Sequence, residues 1–598
     1  MGTAPRPHIF FALLDDYGWA NAGWHRNYTA PGGSFVPATA EVQTPHMDSL
    51  VHSGIELERA YAYKYCSPSR SALQSGRDPY HVNVLNEEPS VSNRTDPESG
   101  YAGISRSMTG IAEKLAAAGY ATAAFGKWDA GMATPRHTPR GRGYQQSLTY
   151  FHHLNDEWST TVWQQACKRI PVVDLWLAPS GQPERAAHGY NSSCTGDQPT
   201  GGRSSKCRPG PDGDHVWEGF EDALLAQQAI RVVETHDTAR PLFLFWAPHA
   251  VHTPLQVPQA YVDRFDFMAP TDKAAHERQL YSATVSFVDA AFANISAAFE
   301  RRGMASKLLV VMSADNGGPV YYGGFGGANN YPLKGGKLNN WEGGIRVNAF
   351  VSGGLLPEAV RGTRHTGLVA LWDWYATFCA LAGVDATDAR AAAAGLPPVD
   401  SIDQSAMLLG TRGAVPPRRE LALSTEPRQS DLAGAPLCSA FSSTGLLPSV
   451  VEADAEGNAR GGLVERDVHA PLPTSGTCAT LNGLIQPDEA SGKLWKLLLG
   501  DVQQAFVTGP YFPNASTPAA IPPVTAHCGH GCLFELVGDP LEGIDLSAAM
   551  PERVESMRKR LEALLPSAFN PHRGKVDPAC CDAAMGTYGG FFGPFIEL

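Results

Sequence analysis

A chain of 598 residues, 43% of them hydrophobic, is long enough for two or more domains and a sizeable buried core. Its 47 Lys and Arg against 60 Asp and Glu give a net charge of −13 with no basic stripe, which argues against nucleic-acid binding. No apolar run reaches the roughly 18–20 residues a bilayer span needs, so no membrane span is expected.

The first seven residues show no signal-peptide pattern, and Arg6 stands where a myristoylation motif needs Ser or Thr. Residues 8–14 are an unbroken apolar run and predict a buried parallel strand. The run ends in Asp15-Asp16-Tyr17-Gly18. Ligand sites in open α/β sheets lie at such strand tips, although two acids before a glycine also suit a plain turn. Next come Cys66-Ser67-Pro68-Ser69-Arg70 and Leu73-Gln74-Ser75-Gly76-Arg77. A buried loop cysteine beside a turn proline is the simplest reading of the first pentapeptide alone. A helix is predicted over 111–118 and a strand over 121–125, which leads into Gly126-Lys127-Trp128-Asp129. Residues 197–214 read as a Gly/Pro/Ser loop insertion, and 221–234 have the 3.6-residue spacing of a helix. A strand over 241–246 precedes His252-Thr253-Pro254. A second apolar run, 308–313, ends like the first in oxygen ligands, Asp315-Asn316-Gly317-Gly318. Two such tips can bring Asp15, Asp16, Asp315 and the Asn316 amide oxygen together. Clustered carboxylates repel unless a cation lies among them, and an all-oxygen set suits Ca²⁺ or Mg²⁺. Lys334-Gly335-Gly336-Lys337 and Trp341-Glu342-Gly343-Gly344-Ile345-Arg346 follow. Residues 386–398 read as a linker or loose helix end, and 452–466 as a solvated loop. The alternation of strands and helices means an α/β sandwich with a largely parallel sheet. No role is evident for the Gly/Phe-rich tail, residues 586–593.

Taken together and in order, these blocks resemble the type I sulfatase family. Cys66 to Arg77 is similar to its C-x-P-S-R-x-x-L-x-T-G-R signature, with Ser75 for Thr. Tyr120 to Trp128 is similar to G-Y-x-T-x-x-x-G-K-W-H, and the resembling blocks cover most of residues 8–350. The stretch His252 to Pro258 is most similar to the arylsulfatase B (N-acetylgalactosamine-4-sulfatase) branch. The resemblance implies an alkaline-phosphatase-like α/β sandwich with a large, mostly parallel sheet flanked by helices. It also implies a smaller C-terminal domain with an antiparallel sheet, including 493–500 and 533–540, and a helix near 551–565. The expected division is 1–410 and 411–598.

For chemistry, the resemblance implies that Cys66 is oxidised to formylglycine by the formylglycine-generating enzyme, and that the aldehyde hydrate attacks a sulfate ester. Asp15, Asp16, Asp315 and Asn316 are then the ligands of one Ca²⁺, less suitably Mg²⁺, which also contacts residue 66. Arg70 anchors the modified residue and the metal-site carboxylates, where a guanidinium fork fits well. Lys127 and Lys337 hold sulfate oxygens, and His252 or Lys337 serves the leaving oxygen. Substrates are sulfated carbohydrates or aryl sulfates, and the implied location is the secretory route, lysosomal or extracellular. A phosphoester or phosphonate hydrolase on the same fold is the alternative.

One position departs from the family. Asp129 stands where the pattern has the His that resembles a general base. A carboxylate has an ordinary pKa near 3.9 against about 6.5 for imidazole, and nearby cations lower it further. Slower or acid-shifted turnover is one expectation, and a sulfated-glycan binder that barely turns over is the other. His137 is a candidate substitute.

The eleven cysteines leave ten when Cys66 is set aside, consistent with up to five disulfides, and Cys194 and Cys207 are a plausible local pair. His527-Cys528-Gly529-His530-Gly531-Cys532 has zinc-like residue types but no second ligand pair. Sequons at Asn27, Asn93, Asn191, Asn294 and Asn514 lean toward an exported glycoprotein.

Overall fold

Seven buried residues, His8–Leu14, form a strand that must be covered on both faces and both edges. The protein, a computed structural model, is described for residues 6–29, 35–96, 98–163, 166–168, 170–190, 219–321, 325–425, 480–514, 524–569 and 574–597. A ten-stranded sheet surrounds that first strand. Its strands are β1 (His8–Leu14), β2 (Ile55–Leu57), β3 (Ala121–Lys127), β4 (Gln146–Tyr150), β5 (Trp176–Ala178), β6 (Arg185–Ala186), β7 (Leu242–Ala247), β8 (Leu308–Ala314), β9 (Ala349–Ser352) and β10 (Thr363–His365). Their spatial order is β6-β5-β4-β3-β7-β1-β8-β9-β2-β10. Pairing is parallel through the centre, β4-β3-β7-β1-β8. Antiparallel pairs flank it on both sides, so the sheet is mixed, with its parallel part where the apolar runs lie.

Side chains alternate across a strand, so neighbours on β1 face opposite layers. Phe10 packs on Phe292 and Phe299 of one helix, with ring centroids 5.1 and 5.7 Å away. Phe11 points the other way, to Trp374 and Phe378 at 6.1 and 6.0 Å. The helices are α1 (Cys66–Ser75), α2 (Ile111–Ala117), α3 (Glu221–Thr235), α4 (Lys273–Arg301), α5 (Asp373–Ala382) and, further on, α6 (Pro551–Leu564). Asp272 caps α4 by accepting from the Ala275 amide at 2.9 Å. Among the described residues, α4 is the one helix whose length and hydropathy suit a bilayer. Its Ala283, Val288, Phe292 and Phe299 are instead buried in this core.

A second, four-stranded antiparallel sheet runs β11 (Leu421–Thr425), β12 (Thr480–Asp488), β13 (Lys493–Val502) and β14 (Ala526–Glu535). Leu484, Trp495, Leu497 and Leu533 form one cluster with Val554, Met557 and Leu561 of α6. Tyr63 and Tyr65, just before α1, belong to the same cluster, which seats the small sheet against the segment leading to Cys66. The joint is also ionic. Lys496 on β13, with its side chain fully buried, lies 2.9 Å from Glu342 Oε1 and 2.8 Å from Glu542 Oε1. Trp341 Nε1 donates to the Gln503 carbonyl at 3.0 Å, and the Gly335 amide donates to the Phe506 carbonyl at 2.9 Å. The loop that carries Lys337 is therefore clamped by the second sheet.

The Gly/Phe-rich tail has a structural account. Lys575–Val576 pairs with Val91–Ser92, and Cys581 forms a disulfide with Cys167. The tail then hydrogen-bonds Val173 through Gly590 and Phe592 and lays Tyr588 across Trp176 of β5, centroids 5.1 Å apart. It covers the sheet near β5 and β6, where a bare edge invites unwanted pairing. A Cβ on Gly593 would stand 2.6 Å from the Trp176 ring, so that position admits no side chain without movement.

Cys528 and Cys532 are joined by a disulfide, which removes both thiolates from any zinc site there. Cys379 and Cys580 are unpaired and buried, so the even count does not translate into five bridges. Cys194 and Cys207, like the loops at 197–214 and 452–466, lie outside the described residues.

Lys496→Met leaves Glu342 and Glu542 buried without their shared cation. The expected loss is about 3–5 kcal/mol of unfolding free energy in denaturant titration, and an unchanged midpoint would show that the triad does not hold the two sheets together.

Candidate active site

The register of the central strands puts the acidic tips side by side. Leu14 is opposite Ala314, so Asp15 and Asp16 leave β1 next to Asp315 and Asn316 leaving β8. The Asp16 amide donates to Asp315 Oδ1 at 3.3 Å. β3 delivers Lys127 and Asp129 to the same end of the sheet, and the turn after β7 delivers His252. Gly126 makes this packing possible: its φ is +111°, and a Cβ there would lie 1.8 Å from the Ala247 carbonyl oxygen. Asp16 and Asp129 adopt φ of +57° and +47°, backbone that non-glycine residues adopt mainly where surrounding structure enforces it.

Cys66 is the first residue of α1, and every residue of that helix is buried. Pro68 sits in the first turn, where backbone amides have no partner inside the helix. Arg70 follows one turn on and therefore faces the same side as Cys66. Its Nε and a terminal nitrogen hold Asp315 Oδ2 at 2.9 and 2.8 Å, while its other terminal nitrogen donates to the Lys127 carbonyl at 3.0 Å.

The remaining pairings are equally short. Lys127 Nζ donates to Asp15 Oδ2 at 2.6 Å. Lys337 Nζ lies 2.7 Å from Asp16 Oδ1 and donates to Oδ2 at 2.9 Å. It also lies 3.0 Å from His252 Nε2, while His252 Nδ1 is 2.6 Å from the Thr253 carbonyl. An ammonium only donates, so the network assigns the proton of His252 to Nδ1 and makes Nε2 an acceptor. Burial works against charge on Asp15, but Lys127, then His252, Arg70 and Lys337, hold its carboxyl well below the usual range. Burial, then Asp15, pushes the Cys66 thiol well above its usual range, and its sulfur lies 3.3 Å from Asp15 Oδ1. A thiol held protonated is a poor nucleophile.

Asp15, Asp16, Cys66, Arg70, Lys127, Asp129, His252, Asp315, Asn316 and Lys337 thus meet in one buried polar centre. The donor atoms of Asp15, Asp16, Cys66 and His252 lie within 4.8 Å of one another. Asn316 turns its amide nitrogen to Asp16 Oδ1 at 2.7 Å and leaves its buried oxygen without a partner. Three carboxylates and an orphaned amide oxygen fit a hard divalent cation. Asp315 is gripped by Arg70, so its place beside such an ion depends on that guanidinium.

The departure at Asp129 has a neighbour that the sequence did not disclose. Asp129 Oδ1 accepts from Ser67 Oγ at 2.6 Å and lies 3.0 Å from His153 Nδ1. His153 Nε2 is buried without a partner. Burial raises the Asp129 pKa, but the charge and hydrogen bond of His153, with Lys127 and Ser67, bring it down to about 2. His137 does not substitute: its ring is wholly buried, 2.9 Å from Thr134 Oγ1, and packs on Tyr101. No local signal in the sequence pointed to His153, because side-chain convergence across 24 residues has no sequence period.

A family model described as Sulfatase matches residues 7–384. Arylsulfatase J of Mus musculus is 30% identical over 384 residues, 64% of this chain and 54% of that protein. N-acetylgalactosamine-6-sulfatase of Mus musculus is 25% identical over 351 residues, 58% of each. The chain thus spans little more than half the length of these curated relatives. Among solved structures, PsFucS1 sulfatase from Pseudoalteromonas sp. superposes with a TM-score of 0.60 at 18% identity, covering 94% of this chain and 90% of that one. This likeness is one of fold, an alkaline-phosphatase-like sandwich with an added antiparallel sheet.

Unconverted Cys66 in the folded protein should alkylate with iodoacetamide at pH 8 at least about tenfold more slowly than in the unfolded chain, since burial and Asp15 hold the thiol protonated and only the thiolate reacts. Peptide mass spectrometry reads the rate, and equal labelling in both states would contradict the buried, protonated thiol.

Proposed function

The chain belongs to the sulfatase family, and we propose that it hydrolyses sulfate esters of carbohydrates or aryl alcohols at the centre built around Cys66. The observation that carries this reading is the convergence of Cys66, three strand-tip carboxylates and three buried cations in one site. Arg70, Lys127 and Lys337 neutralise Asp15, Asp16 and Asp315, so one added divalent ion makes the centre net cationic and suited to a sulfate ester. Asp15, Asp16, Asp315 and Asn316 would hold Ca²⁺, which supplies Lewis-acid polarisation of sulfate oxygens. Formylglycine at position 66 supplies, as its hydrate, a neutral nucleophile in place of the protonated thiol.

The protein's own side chains do the rest. Lys127 and Lys337 bind and orient sulfate oxygens in a site from which water is excluded, where such contacts are strong. Lys337 holds a proton against His252 Nε2 at 3.0 Å, and the pair is positioned to pass one proton to the leaving oxygen. Asp129, at about 2, stays ionised near neutral pH and is a weak base. We assign the base role to His153, with Asp129 orienting Nδ1 and leaving Nε2 to take the proton, the division of labour of a carboxylate–histidine pair. An imidazole is thereby restored to the site from a different segment. The name of the N-acetylgalactosamine-6-sulfatase relative supports a sulfated sugar as substrate. Disulfides at Cys167–Cys581 and Cys528–Cys532, and exposed sequons at Asn27 and Asn294, support passage through the secretory route, where a formylglycine-generating enzyme would act.

The deciding assay is hydrolysis of a chromogenic aryl sulfate and a panel of sulfated sugars by protein coexpressed with the converting enzyme. Cys66→Ala and metal chelation should each abolish turnover. Turnover of phosphate or phosphonate esters instead would favour the other hydrolase class, and binding without turnover would favour a glycan binder.

His153→Ala should lower kcat/KM by about 10²–10⁴-fold. Asp129→His placed in that variant should recover part of the loss and change the pH profile. A His153→Ala enzyme with wild-type rate and pH profile would remove His153 from proton transfer.

A further inference from the structure

Behind the catalytic centre lies a second cluster of carboxyl groups that, among the described residues, no lysine or arginine pairs with. Glu157 follows β4, Glu221 opens α3 and His249 follows β7, and all three side chains are buried. Their donor atoms lie within 4.8 Å of one another. His249 Nδ1 is 3.9 Å from Glu157 Oε1 and 3.8 Å from Glu221 Oε2. Asn155 Oδ1 is 3.0 Å from the same nitrogen. Among the described residues, no lysine or arginine pairs with Glu157 or Glu221. The catalytic centre, by contrast, matches each of its three inner carboxylates with a cation.

Two observations separate this cluster from an ordinary buried acid network. Glu157 Oε2 and Glu221 Oε2 are buried without hydrogen-bond partners. Neighbouring Asp222 and Asp174 are fully explained by backbone amides: His249 and Ala250 donate to Asp222, and Phe151 and His152 donate to Asp174. The second observation concerns the ring. His249 Nε2 lies 3.3 Å from the Thr253 carbonyl and Nδ1 lies 3.0 Å from Asn155 Oδ1, both acceptors, so a neutral ring can donate to only one of them. With the proton on Nε2, Nδ1 carries a lone pair and faces three oxygens that also carry lone pairs. A cation among them resolves that conflict. An imidazole whose second nitrogen donates to a backbone carbonyl is also the usual posture of a metal-ligating histidine.

We propose that Glu157, Glu221 and His249 Nδ1, with Asn155 Oδ1, bind a divalent transition-metal ion, Zn²⁺ above others, distinct from the ion at Asp15 and Asp16. The donor set decides the class: one imidazole among oxygens suits zinc better than calcium, which takes oxygens alone. The size fits as well. Ligands about 2.0–2.2 Å from a tetrahedral ion stand about 3.3–3.6 Å apart, a few tenths shorter than the 3.9 and 3.8 Å from His249 Nδ1 to the two glutamates and a few tenths longer than the 3.0 Å to Asn155 Oδ1. The ion's role is structural. The loop it holds through Asn155 and Glu157 begins with His153, and the turn it holds through His249 continues to His252. His249 Nε2 and His252 Nδ1 share one acceptor, the Thr253 carbonyl. Fixing the first ring therefore fixes the partner of the second.

The test uses the full-length protein produced in medium containing zinc, dialysed against metal-free buffer and analysed by inductively coupled plasma mass spectrometry. About one zinc per chain is expected in the wild type and in Asp16→Asn, and less than a tenth of that in Glu157→Gln/Glu221→Gln. Zinc-edge absorption of the wild type alone should show a shell of nitrogen and oxygen without sulfur, which keeps the proposal open to refutation even where the double variant fails to fold. A wild type free of transition metal, or a double variant that retains it, would overturn the site. Metal content is independent of sulfate hydrolysis, so a negative result here leaves the proposed activity untouched, and an inactive protein that holds zinc leaves this site standing.

Discussion

The constraint on which the active end of this molecule depends is the burial of Asp15. Its carboxylate has no access to solvent, and an isolated charge in such a place is prohibitively unfavourable. Lys127 at 2.6 Å and Arg70 at 3.5 Å answer it directly. Each of those cations has its own structural obligations. Lys127 must come from the tip of β3, which requires the close β3–β7 approach that only a glycine at position 126 allows. Arg70 must come from the second turn of α1, which fixes Cys66 one turn earlier and next to Asp15. The location of the reactive residue thus follows from the pairing of a strand tip with a helix, and α1 is buried along its whole length because the guanidinium it carries has to reach the sheet.

The same reasoning extends to the second sheet. Lys337 is the counter-charge of Asp16, but among the described residues its loop has no regular structure of its own apart from one short helical turn at Glu342–Ile345. It is held by Lys496, by the Gln503 and Phe506 carbonyls, and by Asn339 and Asn340 bonding to Gln504 and Asn482 at 2.9 and 2.7 Å. The smaller sheet is therefore part of the catalytic apparatus in a physical sense. It supplies no atom to the centre, yet it fixes the loop that supplies one of the three cations.

Much of this was legible in the sequence where one residue type repeats at a fixed period or a strand ends abruptly in polar groups. β1, β3, β7 and β8 are continuous apolar runs, and their tips carry the residues that meet around Cys66. α3 shows its 3.6-residue period. What stayed hidden depends on contacts between segments that share no local pattern. His153 reads as one of two adjacent histidines in a loop, and only the fold brings it to Asp129. Lys496 lies in a stretch, Lys493 to Leu499, for which the family resemblance implies a strand but not that its lysine points inward to two glutamates. The Gly/Phe-rich tail makes sense only against Trp176, Val173 and Cys167, all more than 400 residues earlier in the chain.

The loop from Phe151 to Thr160 deserves its place at the centre of the molecule's logic because two buried networks end on it. Toward the sheet tips it offers His153 to Asp129, and toward α3 it offers Asn155 and Glu157 to Glu221 and His249. Irregular backbone keeps such a position only if its polar groups are satisfied. Here the satisfaction is arranged through side chains: Asp156 accepts from the amides of Trp158 and Ser159 at 3.0 and 2.7 Å, and Asp174 accepts from those of Phe151 and His152. A loop fixed this firmly can present an imidazole as reliably as a strand tip can. That is why replacement of histidine by aspartate at position 129 need not empty the site of its base. In the proposed assignment the ring stands on another segment and the residue at 129 is its orienting partner, a change that a motif read along one stretch of sequence registers only as a loss.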